Sequence, residues 1–218
     1  MDISPVVVAV ASSAGDLEAV SELLSALPAE CAAAFVIVQY LDPGRESLLF
    51  ETLSQRTMLA VIRAQDGQLA QQRHVYLMTA NTTLTIAEDR IRVTSNPSGP
   101  YPGDILFTSL AKARGRSAVG VVLSGEGSDG ALGIQAIQRA GGAAFAQYPG
   151  SARFPGMPIS AIETRCVDFV LRPNQISREL ARLSRAQGAQ DQLDEEATQL
   201  TMMRSVVEPA AAISVREA

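Results

Sequence analysis

The chain has 218 residues, of which 47% are hydrophobic and 19% charged, and its net charge is −5. That balance belongs to a globular protein and excludes a disordered one, and a chain of this size buries most of its apolar surface without disulfide or metal staples. The absence of clustered Lys or Arg excludes a nucleic-acid footprint, and no apolar run approaches the roughly eighteen residues of a membrane span.

The run "PVVVAVA" (5–11) is continuous and β-branched, as in a strand buried on both faces. No Lys or Arg precedes it and it is too short for a signal segment, so a soluble, cytoplasmic protein is expected. In "DLEAVSELLSALP", Leu17, Val20, Leu23, Leu24 and Leu27 share one helical face, and Pro28 ends the pattern. "AAFVIVQ" (33–39) reads as a second buried strand, and "ESLLFETLSQR" (46–56), after an Asp-Pro-Gly turn, as a second helix. This βαβα start argues for a parallel sheet wrapped by helices.

The middle is different. "LAVIRA" (59–64), "HVYLMT" (74–79), "TLTIA" (83–87) and "RIRVT" (90–94) are short, and the last two alternate like a hairpin. Together they predict a small antiparallel addition at one edge. "SNPSGPYPG" (95–103) is rich in Pro and Gly and predicts a functional loop. Parallel α/β then resumes. A helix over "DILFTSLAKARG" leads to a strand at 117–123, a glycine-rich turn "SGEGSDG", and the helix "ALGIQAIQRAGG" with a Gly C-cap. A strand at 143–147, a short helix after "FPGMP", a strand at 167–171 and a helix at 174–184 follow. The fold class is α/β: a doubly wound, mostly parallel sheet with a small antiparallel addition. The domain is expected over 5–185, and 186–218 as a linker or tail with one helix around 191–207.

Two turns could carry chemistry. In Ala11-Ser12-Ser13-Ala14-Gly15, small residues sit where a buried strand turns sharply into a helix. Such a turn suits a nucleophilic serine, a phosphate cradle, or simply a serine N-cap. Neither a Gly-x-Ser-x-Gly, a Gly-x-Gly-x-x-Gly nor a P-loop pattern is present. In Ser124-Gly125-Glu126-Gly127-Ser128-Asp129-Gly130, Asp129 reads as a helix N-cap, a triad acid or a magnesium ligand. Two such turns on parallel strands can converge on one cleft. The single histidine, His74, falls in the antiparallel addition and reads as structural. Cys31 and Cys166 lie far apart without metal-ligand spacing and read as core thiols in a reducing compartment. No cofactor and no metal is expected.

"ASSAGDLEAV", "VIVQYL", "VGVVLSGEGSDGALG" and "FPGMPISAI", from about Val6 to Leu183, resemble the catalytic domain of the chemotaxis protein-glutamate methylesterases, the CheB family. The likeness is greatest to the form fused to a methyltransferase domain in hybrid proteins. The resemblance implies a doubly wound sheet with an antiparallel addition, and hydrolysis of γ-glutamyl methyl esters on chemoreceptors, or deamidation of glutamines, by a Ser-His-Asp triad. The family's serine, in Gly-Ala-Ser-(Ala/Thr)-Gly-Gly, corresponds to Ser13, and its acid, in Gly-(Ser/Asn)-Asp-Gly, to Asp129. Its histidine follows a glutamine, and that pair is Gln39-Tyr40 here. The oxyanion donors it implies are the backbone N–H groups near Ala14 and Glu126. The family's first motif glycine is Ala11 and its last is Asp16. Asp16 and Glu126 would set carboxylates beside the pocket.

Tyrosine is a poor substitute for the base. Imidazole titrates near 6.5 and its two nitrogens serve serine and aspartate together. A phenol titrates near 10, has one oxygen, and is pushed further up by a neighbouring carboxylate. A nearby cation would activate it, and Arg45 and Arg153 are the candidates. Without one, the expectation is an impaired enzyme that works by binding a chemoreceptor-like or signalling protein, a fused or partner methyltransferase, or a histidine kinase. The alternatives are an active hydrolase or glutamine amidase using Ser13, Tyr40 and Asp129, and a small-anion or nucleotide sensor at the Ser13 turn. The receiver domain that typically precedes this family's catalytic domain has no counterpart in the sequence. Control by phosphorylation of an attached domain is therefore not expected, nor is nucleic-acid binding or membrane insertion.

Overall fold

The β-branched run at the start forms strand β1 (Val7–Ser13), which extends into the two serines because its ladder with β2 (Ala34–Tyr40) continues to Ser13. The structure, a computed structural model, describes residues 5–13, 17–40, 46–96 and 101–186, apart from the side chains of Tyr40, Glu46 and Ser47. Between these strands runs helix α1 (Leu17–Ser25), which buries Val20, Leu23 and Leu24. Each such side chain contributes roughly 1.5–3 kcal/mol of burial. Helix α2 (Glu46–Arg56) leads to β3 (Ala60–Arg63), the two-residue strand β4 (Gln68–Leu69) and β5 (His74–Leu77). The hairpin β6 (Thr82–Ala87) and β7 (Arg90–Ser95) follows. Then come α3 (Pro102–Arg114), β8 (Val119–Val122), α4 (Ala131–Arg139), β9 (Ala143–Gln147), α5 (Gly156–Glu163) and β10 (Phe169–Leu171). A last helix, α6, covers 173–186.

Seven strands form one parallel sheet in the order β10-β9-β8-β1-β2-β5-β3. Alternation along β1 sorts the core into two layers. Val8 and Val10 face a layer built with α1, α2 and α6. Ala9 and Ala11 face one built with α3, α4, α5 and the small sheet. The chain leaves β1 towards β2 and later returns to the other side at β8. The carboxyl ends of β1 and β8 therefore flank the topological switch point, where an α/β sheet opens a crevice.

The doubly wound architecture matches the expectation, with three differences. β3 and β5 belong to the parallel sheet, where β5 pairs with β2 in register Phe35↔Val75. The antiparallel addition is instead a separate three-stranded sheet, β4-β7-β6. It covers α3 and extends no edge: Leu84, Ile86 and Ile91 pack with Leu106 and Leu110, and the Ile86 N–H donates to Ser109 Oγ at 2.9 Å. The expected loop at 95–103 is shortened because Pro102 opens α3, where a missing N–H costs nothing. Residues 97–100 and the helix expected at 191–207 lie outside the described residues.

Candidate active site

Ser13 ends β1 and is held from both neighbouring strands. Its N–H donates to the Ser124 carbonyl at 3.2 Å, beyond β8. Its carbonyl accepts from Nε2 of the buried Gln39, on β2, at 2.7 Å. The glycine-rich turn lies directly on it. A Cβ built on Gly125 would stand 2.9 Å from Ser13 Cβ and would overlap the Met157 sulphur. Gly125 is fixed there by donating to the Phe154 carbonyl and accepting from the Met157 N–H, both at 2.8 Å. The two turns singled out in the sequence thus meet at the carboxyl edge, with the start of α5 as a wall.

Asp129 is not the N-cap of the helix it precedes. Gly130 holds that position at φ 90, with no side-chain cap. The Asp129 carboxylate reaches across to α3, where Oδ2 accepts from the Gly103 N–H at 2.8 Å and Oδ1 from the Asp104 N–H at 2.9 Å. A Cβ on Gly103 would stand 2.8 Å from Ala11 Cβ and 3.0 Å from Asp129 Oδ2. The carboxylate is therefore beside Ala11, two residues before Ser13 on the same face of β1. Burial pushes the Asp129 carboxyl up from its ordinary range, and the N–H groups of Gly103, Asp104 and Gly130 oppose that shift.

Tyr40 is the last residue of β2 and the register partner of Ser13. Glu126 is exposed on the turn, so its carboxylate faces solvent. Ala14, Asp16 and Arg45 lie outside the described residues. Arg153 is exposed, with its guanidinium 5.3 Å from the centroid of the Phe154 ring.

His74 opens β5, a parallel strand rather than an antiparallel one, but it stands at the amino end. Phe35 pairs with Val75, so His74 is level with Ala34, and Tyr40 is six residues further on. At 3.3 Å per residue that places the imidazole about 20 Å from the Tyr40 end of the sheet. Its Nδ1 is 2.8 Å from the Gln72 carbonyl and its ring stacks on Tyr76 at 6.0 Å.

Among the described residues no group of three or more His, Cys, Asp and Glu side chains could hold a metal ion. None of their helices is long and apolar enough to cross a membrane. Cys31 and Cys166 are free thiols, the first buried and the second partly so. Sequence reading missed Gly103 and Met157. Gly103 ends the 95–103 stretch expected to carry function and Met157 lies in "FPGMPISAI", but the sequence assigns neither a role, since each acts on a turn more than twenty residues away.

The sequence and the fold both have known relatives. A family model described as CheB methylesterase matches residues 8–180. The chain belongs to the CheB methylesterase family. It is 35% identical over 188 residues to protein-glutamate methylesterase/protein-glutamine glutaminase 1 of Myxococcus xanthus, covering 83% of this chain and 54% of that protein. It is 38% identical over 161 residues to number 3 from the same organism, covering 73% and 45%. The namesake from Yersinia pestis is 35% identical over 188 residues, with 83% and 54% covered. The chain spans about half the length of the curated relatives it matches. The crystal structure of the Thermotoga maritima CheB methylesterase catalytic domain superposes with a TM-score of 0.75 at 26% identity, covering 83% of this chain and all of that one. The fold is thus that of a CheB catalytic domain.

Proposed function

We infer that this chain is a protein-glutamate methylesterase-like domain of bacterial chemotaxis or a related signalling system, impaired in hydrolysis and acting through binding. One observation carries the reading. Tyr40 is the register neighbour of Ser13, where the CheB resemblance calls for the base, and the single imidazole is on the opposite edge of the sheet. A hydroxyl without a base keeps only the contribution of binding and oxyanion donors, roughly 10³–10⁴ over water. The expected partner is a chemoreceptor-like or signalling protein in the cytoplasm, and a fused or separate methyltransferase or a histidine kinase would serve the same role.

A second reading is an active hydrolase or glutamine amidase in which Ser13 works with Tyr40 and Asp129. It is favoured by the anchoring of Asp129 on the N–H groups of Gly103 and Asp104, with that of Gly130 also turned to it, which leaves acceptor capacity on the carboxylate for a further hydrogen bond. Incubation with a peptide carrying glutamyl methyl esters separates the two. The binding reading expects the peptide to be retained with its ester intact by mass spectrometry. Ester loss that depends on Ser13 would establish the second reading instead.

A further inference from the structure

Neither α3 nor α4 is capped by its own flanking residue. α3 follows Tyr101 at φ 60 and α4 follows Gly130 at φ 90, and neither residue makes a side-chain cap. Each helix is capped from the other's segment. Asp129, two residues ahead of α4, accepts from the N–H groups of Gly103 and Asp104 in α3. Asp104, in the first turn of α3, accepts at Oδ1 from the Gly133 N–H of α4 at 2.8 Å, with the N–H groups of Gly130 and Leu132 also turned to it.

Two of the donors are glycines pressed against a neighbouring element. A Cβ on Gly103 would stand 2.8 Å from Ala11 Cβ, and one on Gly133 would stand 2.5 Å from Phe107 Cβ. The helix starts are interlocked at a distance that side chains would not permit. The arrangement also has a cost. Burial raises the Asp104 carboxyl, and the nearby Asp129 charge raises it further. A helix needing only a cap would take a Ser or Thr at its own N-cap without that repulsion.

We propose that Asp104 is a positioning residue for Asp129. By holding the first turn of α4 against α3, it fixes the turn from Ser128 to Gly130 and so aims the Asp129 carboxylate along the face of β1 that ends in Ser13. The functional sense of this rests on reading Asp129 as the acid of the site, but the geometric statement does not depend on turnover.

Amide hydrogen exchange of the whole chain, read by NMR, tests it. The Gly103 N–H reports directly on the grip of Asp129. Asp104→Ala should accelerate Gly103 exchange about tenfold or more while Val36 and Val121 in the central strands keep wild-type rates. Asp104→Asn keeps an oxygen for the Gly133 N–H and should stay within about threefold of wild type. Wild-type Gly103 exchange in Asp104→Ala overturns the proposal. Equal acceleration at Gly103, Val36 and Val121 also overturns it, because that is global destabilisation. Should Asp104→Ala fail to fold, Asp104→Glu moves the oxygen by one methylene, and unchanged Gly103 exchange there is equally fatal. Hydrolysis does not enter this readout, so a failed catalytic reading of Asp129 would leave the exchange result standing.

Discussion

Ser13 and Tyr40 are register partners at the carboxyl ends of two adjacent parallel strands. Consecutive parallel strands lie ~4.8 Å apart, so a residue at this position in β2 is the natural neighbour of a hydroxyl at the end of β1. The Asp129 carboxylate approaches the same face of β1 from the turn before α4, held by the start of α3. Ser13 and Asp129 therefore lie together at the switch point, and on the proposed reading the chemical identity of residue 40 decides what they can do.

His74 should have no part in any hydrolysis. It stands at the amino end of β5, bonded to the Gln72 carbonyl and stacked on Tyr76. His74→Gln is expected to leave the rate on an activated ester unchanged across pH 5–9. An altered rate, or a pH profile that changes shape in the variant, would show that the imidazole reaches the site.

Gly125 should tolerate no side chain. Its Cβ would press on Ser13 Cβ and the Met157 sulphur while its backbone is tied on both sides. Gly125→Ala is expected to lower stability by about 1–3 kcal/mol in urea unfolding, as overpacking does. Adding Met157→Ala should recover part of that loss, because the two positions are in contact and their effects are not additive. Strictly additive losses would place the strain elsewhere.

Asp104 should make stability fall as pH rises. Burial first, and the Asp129 charge second, raise its carboxyl against the N–H groups that lower it. Folding then binds a proton between the unfolded midpoint, near about 3.9, and the raised folded one. In that window the folded state holds more protons than the unfolded state, so stability drops with increasing pH. The favourable contribution is full below the unfolded midpoint and gone above the folded one. Asp104→Asn removes it, so the urea midpoint of the variant minus that of wild type should grow from pH 4 to pH 7. A difference independent of pH would mean that Asp104 titrates normally.

The central strands were legible because β-branched runs such as "PVVVAVA" and "FVIV" state burial on both faces directly. The pairing of β3 and β5 was not. Four-residue apolar strands look alike in either direction, and the link between β3 and β5 contains a short strand of the other sheet instead of the usual crossover helix. At the site, Ser13 and Asp129 could be singled out because each follows a buried strand at a small-residue turn. The partner of Asp129 could not, because Gly103 is 26 residues away and reaches the carboxylate only through the packing of α3 on α4. The N-cap reading of Asp129 failed for the same reason, as a local rule cannot see a cap supplied to another helix.

Methanol release from a glutamyl-methylated peptide at neutral pH tests most directly whether the residue at position 40 limits hydrolysis. Wild type should show little release, and Tyr40→His should raise it by about 10²–10⁴-fold, the usual contribution of a positioned base. That gain should disappear in the Tyr40→His, Ser13→Ala double variant. Wild-type release equal to that of Tyr40→His, and abolished by Ser13→Ala alone, would contradict the claim that tyrosine at this position impairs hydrolysis.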